Sequence, residues 1–136
     1  TGFYKNKARN IIACGRSLVE NYGGEVPRTL ETLVSLPVVG RKTANVVLGN
    51  CFQVPAVVVD THVKRVSRRL GLTRQEDPEG IEYDWMRLLP KERWTRTSHQ
   101  ILLHGRHICQ ARTPRCSSCR LTSWCEYFRG LKKKNK

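Results

Sequence analysis

The chain has 136 residues, a length that suits one domain of ordinary size. Lysine and arginine number 25 against 11 acidic residues, a formal charge of +14 with a pI near 10.1, which sets up a field that draws in polyanions. No apolar run approaches the roughly 18 residues of a transmembrane span and no signal peptide opens the chain, so the expectation is a soluble, intracellular protein that uses no membrane.

From Tyr4 to Tyr22, the residues Ala8, Ile11, Ile12, Gly15, Leu18, Val19 and Tyr22 recur at three-and-four spacing, predicting one amphipathic helix that Gly23-Gly24 ends. A short helix over 29–36 carries Leu30, Leu33 and Val34 on one side and stops at Pro37. The turn Pro37-Val38-Val39-Gly40 then leads directly into a third helix over about 41–51, with Ala44, Val47, Leu48 and Cys51 facing inward. Two short helices joined by so tight a turn form a hairpin, at about 29–51. Pro55 and the run 56–59 contain three valines that favour extended structure. A strand is nevertheless rejected, because Asp60 and Thr61 are N-cap residues and Val63, Val66 and Leu70 keep helical period until Gly71. The outer face of this helix carries Lys64, Arg65, Arg68 and Arg69, a pattern that is ordinarily just solvated.

Asp77-Pro78 opens the next helix, with Ile81, Trp85, Leu88 and Leu89 as its buried side until Pro90. A further helix over about 96–106 uses Ile101, Leu102 and Gly105. After a cysteine-rich loop the chain closes on Lys132-Lys133-Lys134-Asn135-Lys136, read as a disordered basic tail that adds nonspecific attraction. The expected fold class is therefore all-α, organised as a helical body over 1–108, a loop over 109–125 and a basic tail over 126–136.

The loop carries Cys109, Cys116, Cys119 and Cys125 in the spacing C-x6-C-x2-C-x5-C. So short a segment cannot build an apolar core, and four thiols point to a metal, either zinc or iron. Structural zinc sites usually show two close pairs; only Cys116 and Cys119 form a C-x2-C here, so the spacing leans toward iron–sulfur. Arg112 and Arg115 lie between the first two cysteines, where an ordered loop would hold them toward phosphates. Cys14 and Cys51 sit in apolar helical patterns and read as buried free thiols rather than as disulfide partners.

In the hairpin, Leu36-Pro37-Val38-Val39-Gly40-Arg41-Lys42-Thr43-Ala44, the turn delivers backbone N–H groups of Val38, Val39, Gly40, Arg41 and Thr43 to the start of a helix. The helix dipole is positive there, so a phosphate is stabilised without any reading of base sequence. Lys42 follows Arg41 in the same first turn, where a neighbouring cation and the helix end both disfavour the ammonium form, so its amine can serve as a nucleophile. Pairing with phosphate is the commoner role for such a lysine. Asp60 reads first as an N-cap. A carboxylate in partly desolvated surroundings can also stabilise positive charge on a sugar ring or move a proton, and the two roles conflict only if the cap uses both oxygens.

The hairpin with Lys42, the segment Val59-Asp60-Thr61-His62, the segment Leu103-His104-Gly105-Arg106 and the four-cysteine loop, in that order, resemble the endonuclease III family of the helix-hairpin-helix DNA glycosylase superfamily. The resemblance spans nearly the whole chain. It implies an all-helical enzyme that flips an oxidised pyrimidine out of duplex DNA, cleaves its N-glycosidic bond and nicks the abasic strand by β-elimination. It makes Lys42 the Schiff-base lysine, Asp60 the catalytic aspartate, and the four cysteines ligands of a 4Fe-4S cluster. The partner implied is double-stranded DNA with damaged bases or abasic sites, bound by a monomer that is DNA-associated, in the cytoplasmic nucleoid if bacterial. Alternatives are a monofunctional glycosylase, disfavoured by Lys42, and a non-catalytic duplex-binding module. Two departures stand out. The family pattern has glycine where this chain has Val38, and a β-branched residue resists positive φ, so DNA affinity falls if the turn needs it. The chain also opens where family members have already supplied several helices, which makes it an N-terminally incomplete version of the fold.

Overall fold

The computed structural model describes residues 4–134, and every regular element among them is helical. The chain divides into two units, 1–54 and 55–136.

In the first unit, helix α1 spans Tyr4–Tyr22. It ends as its glycine pair requires: Gly23 and Gly24 take φ of 61° and 85°, and the Gly24 N–H reaches back to the Leu18 carbonyl at 2.9 Å. None of its residues is buried, and Ile11 is 72% exposed. Helix α2, Leu30–Val34, is capped by Thr29, whose hydroxyl accepts the Thr32 N–H at 3.3 Å. It is shorter than the pattern over 29–36 suggests. Of the expected inward side Leu33 is buried and Leu30 half-buried, but Val34 is 42% exposed; Leu36, just past the helix, is buried instead. Helix α3, Arg41–Cys51, buries Ala44, Asn45 and Leu48. Val47 is half-buried, and the expectation for the two spare cysteines fails: Cys51 is exposed and Cys14 only half-buried. Both lie at edges of their apolar stripes, where periodicity does not fix depth.

The second unit is built on the run that favours extended structure. Ala56, Val57, Val58 and Val59 are buried but form no strand. Hydroxyls replace the missing ladder: Ala56 N–H donates to Thr95 Oγ1 at 3.2 Å, the Thr95 hydroxyl donates back to the Ala56 carbonyl, and Val58 N–H donates to Ser98 Oγ at 3.1 Å. Helix α4, Thr61–Leu70, begins at the Asp60 cap and ends at Gly71, whose φ of 86° places it in the left-handed region. Helix α5 spans Pro78–Leu88 and helix α6 spans Trp94–His107, joined through a single 3-10 turn at Lys91–Arg93. Val57, Val59, Val63, Ile81 and Trp85 form the core, flanked by Leu89, Trp94, Ile101 and Leu102. Trp85 is buried with its indole N–H satisfied by Ser67 Oγ at 3.1 Å. Leu88 departs from the expected buried side and is 57% exposed, because α5 ends there and the chain turns out toward Pro90.

Helices α4 and α6 cross at Gly105. A Cβ added there would lie 2.9 Å from His62 Cβ and 3.1 Å from Val66 Cγ2, so glycine is what lets the two backbones approach. Gly105→Ala is expected to force them apart and cost about 1–3 kcal/mol of stability, read as a lowered unfolding midpoint. Finally, α7 spans Glu126–Lys134. The expected disordered tail is therefore helical through Lys134, while Asn135 and Lys136 lie outside the described residues. Its first turn is anchored by Tyr127, whose ring lies 4.6 Å beneath the Arg69 guanidinium.

Candidate nucleic-acid interface and metal centre

The hairpin is closed by local bonds. Val39 N–H donates to the Leu36 carbonyl at 3.2 Å, with Pro37 and Val38 at the two central positions and Val38 at a φ of 61°. Proline first and positive φ second is the pattern of a type II turn. Gly40, extended at φ −83° and ψ 166°, precedes α3 and supplies no side-chain cap. Its carbonyl accepts the Ala44 N–H at 3.0 Å, which leaves the first turn of α3 opening on the positive end of the helix dipole. Lys42 and Thr43 are exposed on that turn and Arg41 is half-buried beside them. The first unit thus gathers Val38, Val39, Gly40, Arg41, Lys42 and Thr43 at one place.

Asp60 lies in the second unit. Its Oδ1 accepts the Val63 N–H at 2.8 Å, so the cap engages one carboxylate oxygen, and the side chain is half-buried behind the fully buried 56–59 segment.

All four loop cysteines line a single cavity, together with Arg69 and His104. The loop is organised around them: the Leu121 N–H donates to Cys119 Sγ at 3.4 Å, the Cys125 thiol donates to the Arg69 carbonyl at 3.4 Å, and Arg69 reaches Cys109 Sγ at 3.3 Å. Burial pushes the Cys116 thiol up from its ordinary value, with the charges of Cys109, Cys119 and Cys125 adding to the shift and Arg69 opposing it. Four sulfurs gathered on one cavity, with the Cys116 thiolate opposed by its three neighbours, fit a cationic group that would relieve that repulsion. Among the described residues, no three His, Cys, Asp or Glu side chains come together to hold a single metal ion. His104 Nε2 stands 3.7 Å from Cys119 Sγ, and burial lowers its pKa below the usual imidazole value. Arg112 and Arg115 are both exposed on the loop.

The basic face of α4 is not simply solvated. Arg68 does face outward, pairing with Glu76 at 3.0 Å. Arg65 and Arg69 turn instead to the cysteine loop. Arg65 donates to the Cys109 carbonyl from Nε at 3.1 Å and to the Gly105 carbonyl from Nη2 at 2.8 Å; Arg69 donates to the carbonyls of Gln110 and Ala111 at 2.7 and 2.8 Å. The planar fork of arginine matches several carbonyls at once, so these two residues clamp the loop to α4. Their spacing of four places them on one helix face, but spacing alone does not distinguish a clamp from a solvated stripe.

The family model described as "HhH-GPD superfamily base excision DNA repair protein" matches residues 1–91. Endonuclease III of Bacillus subtilis (strain 168) is 52% identical over 125 residues, which is 91% of this chain and 57% of that protein. Endonuclease III of Synechocystis sp. is 52% identical over 126 residues, 92% of this chain and 58% of that one. Among solved structures, a non-covalent endonuclease III–DNA complex superposes with a TM-score of 0.91 at 47% identity, covering 99% of this chain and 63% of that one. A trapped covalent endonuclease III–DNA intermediate gives 0.91 at 46%, covering 99% and 62%. The chain thus spans about three-fifths of the length of the relatives it matches.

Proposed function

Because this chain belongs to the HhH-GPD superfamily of base excision DNA repair proteins, we propose that it is a bifunctional DNA glycosylase and abasic-site lyase that removes oxidised pyrimidines from duplex DNA. The observation that carries the reading is Lys42, an exposed amine on the uncapped first turn of α3, directly behind a turn suited to phosphate. The likeness to a covalently trapped endonuclease III–DNA intermediate supports a covalent route.

In this reading the hairpin's backbone donors grip a phosphate, and the damaged nucleotide is extruded at an unstacking cost lower than that of an intact base. The Lys42 amine, once it has given up its proton, attacks C1′ as the glycosidic bond breaks, and the base leaves with the bond's electron pair and a proton. Asp60 stabilises the positive charge that builds on the sugar ring and carries protons to and from the leaving group, using the oxygen its cap does not engage. The ring opens, O4′ taking up a proton from water as the C1′–O4′ bond breaks, to leave a protonated imine on Lys42. That imine acidifies the C2′ hydrogen, its removal expels the 3′ phosphate, and water then releases the lysine. Cys109, Cys116, Cys119 and Cys125 would hold a 4Fe-4S cluster, which supplies rigidity to the loop that presents Arg112 and Arg115. The protein acts as a monomer, DNA-associated in the cytoplasm if bacterial, and among the described residues no helix is long and apolar enough to cross a membrane.

Borohydride added to the protein on an abasic duplex tests the reading. A covalent protein–DNA adduct is expected. Base release without an adduct would mean a monofunctional glycosylase, and duplex binding without either would mean a binding module. Binding to undamaged duplex is expected to weaken steeply with salt, with a log–log slope of about −0.9 per phosphate contact. A flat salt response would contradict backbone recognition.

A further inference from the structure

Val38 stands where the hairpin turn needs a residue that tolerates positive φ, and it is a residue that tolerates it least. Its φ is 61°. The left-handed region crowds Cβ against the following carbonyl, and branching at Cβ makes this worse. Nothing in its surroundings offsets the cost by burial, since the side chain is 62% exposed at the tip of the turn. The conformation is held by Pro37 at the first central position and by the Val39 N–H to Leu36 carbonyl bond at 3.2 Å. A competing turn lies close by. Rotating the Pro37–Val38 peptide by about half a turn converts a type II turn into a type I turn, which keeps the same closing bond and proline but gives Val38 a negative φ.

We infer that Val38 makes the hairpin a two-state element, in which a strained type II turn competes with a relaxed turn whose Pro37–Val38 peptide is flipped. The proposal rests on the reading of the hairpin as the backbone-binding element. The flip carries the Val38 N–H and the Pro37 carbonyl to opposite sides of the turn, so the two states present different groups to a phosphate. Duplex DNA binds the type II state, and its observed affinity is reduced by the fraction of molecules that occupy that state. Val38 is thus a tuning residue for affinity: it makes no phosphate contact through its side chain, yet sets how much of the protein is ready to bind.

The test measures duplex affinity at fixed salt for Val38→Gly, Val38→Asn and Val38→Ala. Relief of backbone strain predicts the order Gly, then Asn, then Ala, all tighter than the parent, with Val38→Gly tighter by roughly tenfold. Asn outranks Ala because it enters the left-handed region more readily despite its larger side chain. Side-chain bulk as the cause predicts the reverse order of those two, and that result would overturn the proposal. The salt slope should stay at the parent's value in Val38→Gly, since no phosphate contact is gained. Because both turns keep the Val39 N–H to Leu36 carbonyl bond, amide exchange at Val39, measured without DNA, should stay at the parent's rate in Val38→Gly; slower exchange in the variant would mean that the parent's turn opens rather than flips, and would overturn the proposal. A parent protein that binds duplex with normal salt dependence, but whose affinity Val38→Gly leaves unchanged, would sink the inference alone. A parent that does not bind duplex at all would sink the functional reading and this inference with it.

Discussion

Replacing Asp60 by asparagine is expected to slow base removal by about 10²- to 10⁴-fold while leaving helix α4 capped. The two consequences separate because they use different properties of the side chain. The cap needs an oxygen acceptor at Oδ1, 2.8 Å from the Val63 N–H, and an amide oxygen serves as well. Stabilising a sugar cation needs a negative charge, and moving a proton needs a titratable group; asparagine has neither. The thermal midpoint should therefore change little while single-turnover base release collapses. Near-normal release by Asp60→Asn would reduce the aspartate to a cap.

The second large effect concerns the cysteine loop. Protein purified without oxygen is expected to be straw-brown, with four irons per chain if the cluster is fully loaded. Cys109→Ser should lose much of that colour and leave the 109–125 loop open to rapid amide exchange, because the loop's own bonds to α4 pass through the neighbourhood of Cys109. Arg65 and Arg69 both bond there, to its carbonyl and its sulfur. Cys14→Ser should keep the colour, since Cys14 lies in α1 and outside the cavity. Colourless protein with one zinc per chain would end the iron assignment.

The parts of this fold that were legible in the sequence are those fixed by local chemistry. Gly23-Gly24, Asp60, Gly71 and Asp77-Pro78 each mark a helix end, and each is found at one, because caps depend on a few adjacent residues. The buried 56–59 run was separable from a strand for the same reason: the cap that follows it is local. What stayed hidden depends on tertiary partners. Whether Leu88 or Cys51 is buried turns on where neighbouring elements stop. The inward turn of Arg65 and Arg69 is set by the carbonyls of a loop some forty residues away in sequence. The hydroxyls of Thr95 and Ser98, which replace a strand partner for Ala56 and Val58, leave no pattern in the sequence at all. At the site, the hairpin and the four cysteines were readable from order and spacing, while the conformation of Val38 needed coordinates.

The account turns on whether the Lys42 amine becomes bonded to the sugar. Reduction of the protein–DNA adduct with borohydride on an abasic duplex, followed by digestion and mass spectrometry, locates the attachment site directly. The modified peptide should be the one that contains Lys42, and Lys42→Gln should give no adduct while binding duplex within a few-fold of the parent, because one phosphate contact is worth only about 1 kcal/mol. An adduct on any other residue, or one that persists undiminished in Lys42→Gln, would contradict the assignment of Lys42 as the nucleophile.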